Sequence, residues 1–145
     1  MMAGVLALVA GSLTLAGRTV TPPAQAAPNR VTFPPLDRLE HYATVERGAT
    51  REHMLTSRAA LEAVKAQRPV PTGTQVVLVD YLNGDIQRYL VGQKVGDGQN
   101  DWQYQWFRPD QSVKADENVA RCYSCHLSRA DRQFLFTYTD ALRFK

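Results

Sequence analysis

Cys122 and Cys125 are the only cysteines of the 145-residue chain, and His126 follows the second directly. Residues of these types at this spacing can anchor a haem. Two thiols add across the two vinyl groups, and two intervening residues set the sulfurs at the separation of the vinyl carbons. The next histidine then lies under the ring, where its imidazole can ligate the iron. Tyr123 and Ser124 serve only as spacers. Other chemistries draw on the same residue types. A structural zinc site needs four ligands, usually from two separated pairs; the remaining histidines, His41 and His53, lie far upstream and are not spaced as a pair. A thioredoxin-like dithiol expects its C-x-x-C after a strand in an α/β context, and that context is missing. A plain disulfide is the last alternative. The motif favours one covalent haem c, with the iron held by His126.

The second axial position decides what such a haem does. Electron carriers normally have methionine or histidine there, which keeps the iron low-spin. Met54, His41 and His53 are the available side chains. Surface histidines and a core methionine are the plainer account of all three. The iron is then five-coordinate and open to a small molecule.

These residues need a scaffold. "TSRAALEAVKAQ" reads as a helix, with Thr56 or Ser57 as its cap and an end forced before Pro69 and Pro71. From Thr74 the period becomes two. "TQVVLVDYL" and "IQRYLVGQKV" flank Asn83-Gly84-Asp85, a strong hairpin signal. "DWQYQWF" alternates strictly, with Trp102, Tyr104 and Trp106 on one side and Gln103, Gln105 and Phe107 on the other. Core or haem-wall packing accounts for the aromatic side. Upstream, Leu36 to Tyr42 has near-helical spacing, and Thr44 to Met54 reads as a strand. "ADENVARCYSCH" opens with acidic residues, as a helix N-terminus prefers. "DRQFLFTYT" reads as a last strand, and "DALRFK" closes with a helical turn. The fold class is mainly β (α+β): a compact antiparallel sheet of about five strands, one or two short helices, and a helical turn at the cysteines.

Residues 1–26 read as a signal peptide. An apolar run of small and aliphatic residues ends in "TPPAQAA", where Ala24 and Ala26 fit a cleavage site. The run is too short for a permanent membrane anchor, and it lacks the usual basic residue ahead of it. Residues 27–145 then form one domain in the periplasm or outside the cell. Export agrees with haem attachment on the outer side of a bacterial membrane. Removal takes away Arg18 alone among charged residues, so the formal charge falls from +3 to +2. No basic tract or aromatic-basic interleaving suggests nucleic acid.

The sequence resembles the cytochrome P-460 family, which includes the β-type cytochromes c′. The stretches that carry the likeness are "HYATVERGATREHMLTS", "AVKAQRPVPTGTQVVLVDY", "DWQYQWFRPD" and "ARCYSCHLSRADRQFLFTY", in family order. The resemblance implies an antiparallel β fold with the haem packed on the sheet and His126 as the sole protein axial ligand. The family divides by its distal pocket. Its enzymes oxidise hydroxylamine with a lysine cross-linked to the haem and a distal carboxylate; the β-type cytochromes c′ have an apolar pocket that binds nitric oxide or carbon monoxide. Here Leu78 falls at the place of the cross-linking lysine and Leu90 near that of the carboxylate, so both are distal-pocket candidates. Lys65 and Lys94 are the alternative cross-linkers, with solvated lysines the plainer reading. Arg47 matches a distal-side arginine, or is a surface charge beside Glu46.

Hydroxylamine oxidation removes protons, so it needs a base near the ligand; an apolar Leu78–Leu90 pair supplies none. The reading is therefore an exported c-type haem protein that binds nitric oxide or a similar nitrogen oxide, in binding, detoxification or a redox role. The alternatives are an oxidoreductase acting on hydroxylamine or nitric oxide and a periplasmic electron carrier. A partner cytochrome fits the redox versions, and five-coordinate relatives are often dimers.

Overall fold

Period-two alternation, broken by turn residues, produces five antiparallel strands: β1 (Glu40–Arg47), β2 (Thr50–Thr56), β3 (Gln75–Leu82), β4 (Asp85–Lys94) and β5 (Trp102–Phe107). Each pairs with the next, so the sheet order is the chain order. The structure is a computed structural model and describes residues 28–145; the leader read in residues 1–26 lies outside the described residues.

The turns explain the pairing. Asn83 and Gly84 have φ of 52° and 93°, the positive values that a two-residue hairpin turn between β3 and β4 requires. Gly48, at φ 62°, reverses the chain after Arg47. The segment read as one strand from Thr44 to Met54 is therefore the inner part of a hairpin, and β1 begins at Glu40. The helical spacing before it produces only a 3₁₀ turn over Leu36–Arg38.

Helix α1 (Arg58–Lys65) forms as read. Ser57 caps it, its side chain accepting a bond from the Ala60 amide at 3.2 Å. Its Leu61 and Val64 are each 1% exposed, and burial of such side chains stabilises by about 1.5–3 kcal/mol apiece. Helix α2 (Ala120–Leu127) carries the cysteines, and α3 (Tyr138–Arg143) ends the chain.

The last expected strand does not form. Residues Ala130–Arg132 make a 3₁₀ turn, and Gln133 and Phe134 follow with φ of 54° and 63°. Two successive left-handed residues cannot lie in a strand. Tertiary bonds hold them there. The Gln133 side chain accepts from the Val70 amide at 2.7 Å and donates to the Arg68 carbonyl at 3.0 Å.

Each face of the sheet has its own cover. On one, Val77, Val79, Tyr89, Val91 and Phe107 pack beneath Val31, Phe33 and Leu36 of the N-terminal segment. On the other, α1, α3 and the Phe134 segment pack with Tyr42, Trp102 and Tyr104. This second cover stops short of Leu78 and Leu90, which are only half-buried. Among the described residues no helix is long and apolar enough to cross a membrane.

Candidate functional site

Helix α2 sets the three motif residues. Cys122 to Cys125 is an i,i+3 step and Cys122 to His126 an i,i+4 step, so all three share a face. Cys122 is half-buried, Cys125 is exposed, and both thiols are free. They line a groove of about 660 Å³ whose opposite wall is Leu90 and Trp106, with Glu117, Asn118, Arg121 and Ser124 along the helix side. That volume falls in the usual range for ligand pockets, about 300–1,000 Å³.

His126 is held more firmly than the thiols. Its Nδ1 lies 2.6 Å from the carbonyl oxygen of Phe134. A carbonyl only accepts, so Nδ1 carries the proton, and Nε2 keeps its lone pair for a metal. The ring packs at 4.6 Å from that of Tyr104 and edge-on at 4.9 Å to Phe136. Burial lowers the imidazole pKa against the opposing effect of its bond to Phe134. The site therefore favours a neutral ring, the form that binds iron.

Three rows of paired residues cross the sheet opposite α2. Thr56, Val76, Gly92 and Tyr104 form the first, and Met54, Leu78, Leu90 and Trp106 the second. Leu78 and Leu90 thus stand side by side, and both line a cavity of about 70 Å³ together with Met54, Tyr104 and His126. Leu90 borders the groove as well, so the two spaces meet at its side chain. The expected apolar pair sits opposite the histidine.

The third row is polar, and sequence reading missed it. Glu52 pairs with Asp80, and Asp80 with Arg88. Both acids are buried. Arg88 Nε donates to Asp80 Oδ2 at 2.7 Å, while Asp80 Oδ1 is buried with no partner among the described residues. The Arg88 guanidinium lies 4.4 Å over the Trp106 ring, joining this row to the groove wall. Carboxylates therefore stand one row from Leu78 and Leu90, where the sequence suggested no base. Asp80 was visible as the one acid inside "VVLVDYL", but its side of the sheet depends on register. Replacing Arg88 with Ala leaves Asp80 buried and uncompensated, and urea unfolding will show a loss of about 2 kcal/mol. Arg88→Met should behave alike, because it restores bulk and not charge; recovery by Met would disprove the electrostatic account.

The other candidates divide. Arg47 reaches Glu52 at 3.1 Å, but its side chain is 68% exposed, at the solvent end of the polar row. His41 and His53 stack on each other at 4.6 Å, and His53 packs on Tyr81 at 4.9 Å. Neither lines the cavity that contains His126. Lys94 is buried, but its Nζ donates to the carbonyls of Gly96 and Gly98. Lys65 lies over the Phe144 ring at 5.7 Å. Neither lysine lines the groove or the cavity.

These donors fit a haem. Two free thiols on the same helix face can take the thioether bonds, a neutral imidazole can ligate the iron, and an apolar opposing wall can pack on the ring. Zinc would need further ligands, and among the described residues no three His, Cys, Asp or Glu side chains converge on an ion-sized site. The comparisons agree in kind. Residues 80–137 match the model of the cytochrome P-460 family, a stretch that includes β4, β5 and all of α2. The match supports a haem protein. No curated protein sequence matches the chain.

Proposed function

We propose that this chain is an exported c-type haem protein whose single haem is attached through Cys122 and Cys125. His126 is its only protein axial ligand, and the open side takes nitric oxide or a similar small nitrogen oxide. The observation that carries the reading is the His126–Phe134 bond, which leaves Nε2 as the free nitrogen of a ring bordering the Leu78–Leu90 cavity.

When bound, the haem supplies an iron with a vacant coordination position. The rest is the work of the chain. Phe134 fixes the imidazole tautomer and direction. Leu78 and Leu90 make a pocket that accepts neutral molecules and resists anions, since an unpaired charge is costly among apolar side chains. The thioethers tie the ring to α2, so a weak or absent sixth protein ligand does not release it.

A second reading has an observation of its own. The unpartnered Asp80 Oδ1 is a buried acceptor one row from the pocket. An oxidoreductase acting on hydroxylamine or nitric oxide could place protons there. Electron transfer is the third reading, and Met54, which lines the cavity, is the side chain that would serve it. Export rests on the leader sequence, and so does a periplasmic or secreted location.

Expression with c-type maturation machinery tests these together. Intact mass should equal the polypeptide, less its leader, plus one haem. Both redox states should be high-spin, and nitric oxide and carbon monoxide should shift the ferrous spectrum. An additional covalent bond to a lysine, with red-shifted ferrous absorption, would favour the oxidoreductase. A low-spin spectrum unmoved by either gas would overturn ligand binding and point to Met54.

A further inference from the structure

His41 and His53 belong to different strands, and the fold brings their ring centroids to 4.6 Å. A β-bulge makes this contact. The pairing of β1 with β2 shifts register between His41 and Ala43, so Tyr42 is the extra residue. In a regular strand, side chains at positions 41 and 44 point to opposite faces. The bulge turns them to the same one, as bulges beside functional sites do, and His41 Nε2 lies 2.9 Å from Thr44 Oγ1. Thr44 is the residue paired with His53. Met54, the neighbour of His53, lines the cavity beside His126. The two imidazoles therefore stand on the other face of the sheet from the haem groove.

The rings are arranged as ligands of one ion would be. His41 Nε2 also lies 2.9 Å from the Ala43 carbonyl oxygen. A carbonyl only accepts, so Nε2 carries the proton and Nδ1 keeps its lone pair. Metal-ligating histidines ordinarily have such a bond on their other nitrogen. His53 makes no hydrogen bond among the described residues; it is held by packing against the His41 and Tyr81 rings. Burial, and then the His41 and Arg51 side chains, lower its pKa and favour the neutral form. Arg51 is paired with Glu46 at 2.9 Å, which offsets its charge. Two imidazoles on adjacent corners of one ion, each nitrogen about 2.0–2.1 Å from it, have ring centres about 4.5 Å apart. The observed separation matches, and the rings are inclined by 35° rather than stacked flat. His41 is exposed, so water can fill the remaining positions.

The donor set selects the metal. Zinc ordinarily takes three or four protein ligands, and among the described residues no third His, Cys, Asp or Glu converges here. Copper(II) accepts a square arrangement of nitrogen and oxygen ligands, and it binds such sites most tightly of the divalent first-row metals. We propose that His41 and His53 form a surface copper(II) site, with the two imidazoles as its protein ligands and water as the rest. The ion ties β1 to β2 beside the bulge. The site is independent of the haem reading.

The test titrates copper(II) into the ferric haem-loaded protein and follows it by electron paramagnetic resonance. One equivalent should bind, with nitrogen couplings from two imidazoles. Loss of a group that merely orients a ligand costs about 10–100-fold in affinity. Loss of the ligand itself should cost at least about a hundredfold in His41→Ala and in His53→Ala. Zinc should bind the wild type more weakly than copper. Wild-type copper affinity in either variant overturns the site, and so does a wild-type signal with one imidazole or none. If a variant fails to fold, the imidazole count in the wild type decides alone. If the chain takes up no haem, the same titration is run with both thiols alkylated, so the two readings fail separately.

Discussion

His126→Ala leaves a protein that still carries covalent haem and has lost its proximal imidazole. The two halves of the expectation separate because different atoms hold them. The thioethers need only Cys122 and Cys125, which lie on α2 and line the groove without contribution from the histidine. The iron needs the Nε2 lone pair, and among the described histidines only His126 lines the cavity. His41 and His53 are engaged with each other, and His53 with Tyr81. Intact mass should therefore still include the haem, while the absorption spectrum changes throughout. External imidazole should restore the original spectrum, because the Tyr104 and Phe136 rings that pack against His126 still shape the space it leaves. Cys122→Ala with Cys125→Ala is the converse: mass falls to that of the bare polypeptide, and any haem that binds is extracted by acid and organic solvent. A His126→Ala spectrum identical to wild type would refute the site assignment entirely.

The motif was legible because its chemistry is local. Three residues on one helical turn need no knowledge of the rest of the fold. The Ser57 cap, the Asn83-Gly84 turn and the alternating β5 are equally local, and each forms as read. Leu78 and Leu90 came from a resemblance, and the sheet pairs them directly. What was hidden depends on contacts between distant segments. "RQFLFTYT" has the composition of a strand, but strand backbone would carry the Phe134 carbonyl away from His126. The carbonyl is placed by two left-handed residues, which bonds to Arg68 and Val70 hold from outside the segment. Glu52, Asp80 and Arg88 lie far enough apart in sequence that only the strand register brings them into one row.

Phe134 joins the fold to the site, and its truncation should have the largest effect on stability. The side chain is 1% exposed and stands between Trp102 and Tyr123, with ring centroids at 6.4 and 5.6 Å. Phe134→Ala empties that space and should cost about 3–5 kcal/mol in urea unfolding. The same residue holds φ at 63°, a conformation that costs a side chain about 1–2 kcal/mol. Glycine has no such cost, so Phe134→Gly should come out no less stable than Phe134→Ala, although glycine ordinarily destabilises relative to alanine. That reversal is the signature of a strained position; its absence would mean that the left-handed backbone is not retained. The effect should extend to the iron. The Phe134 carbonyl that orients His126 is backbone and survives both substitutions, but nothing then packs it in place. The imidazole should turn more freely, broadening the iron–histidine stretching band in both variants. A drop below about 1 kcal/mol for Phe134→Ala, with the band as sharp as in wild type, would show that the histidine is held by α2 alone.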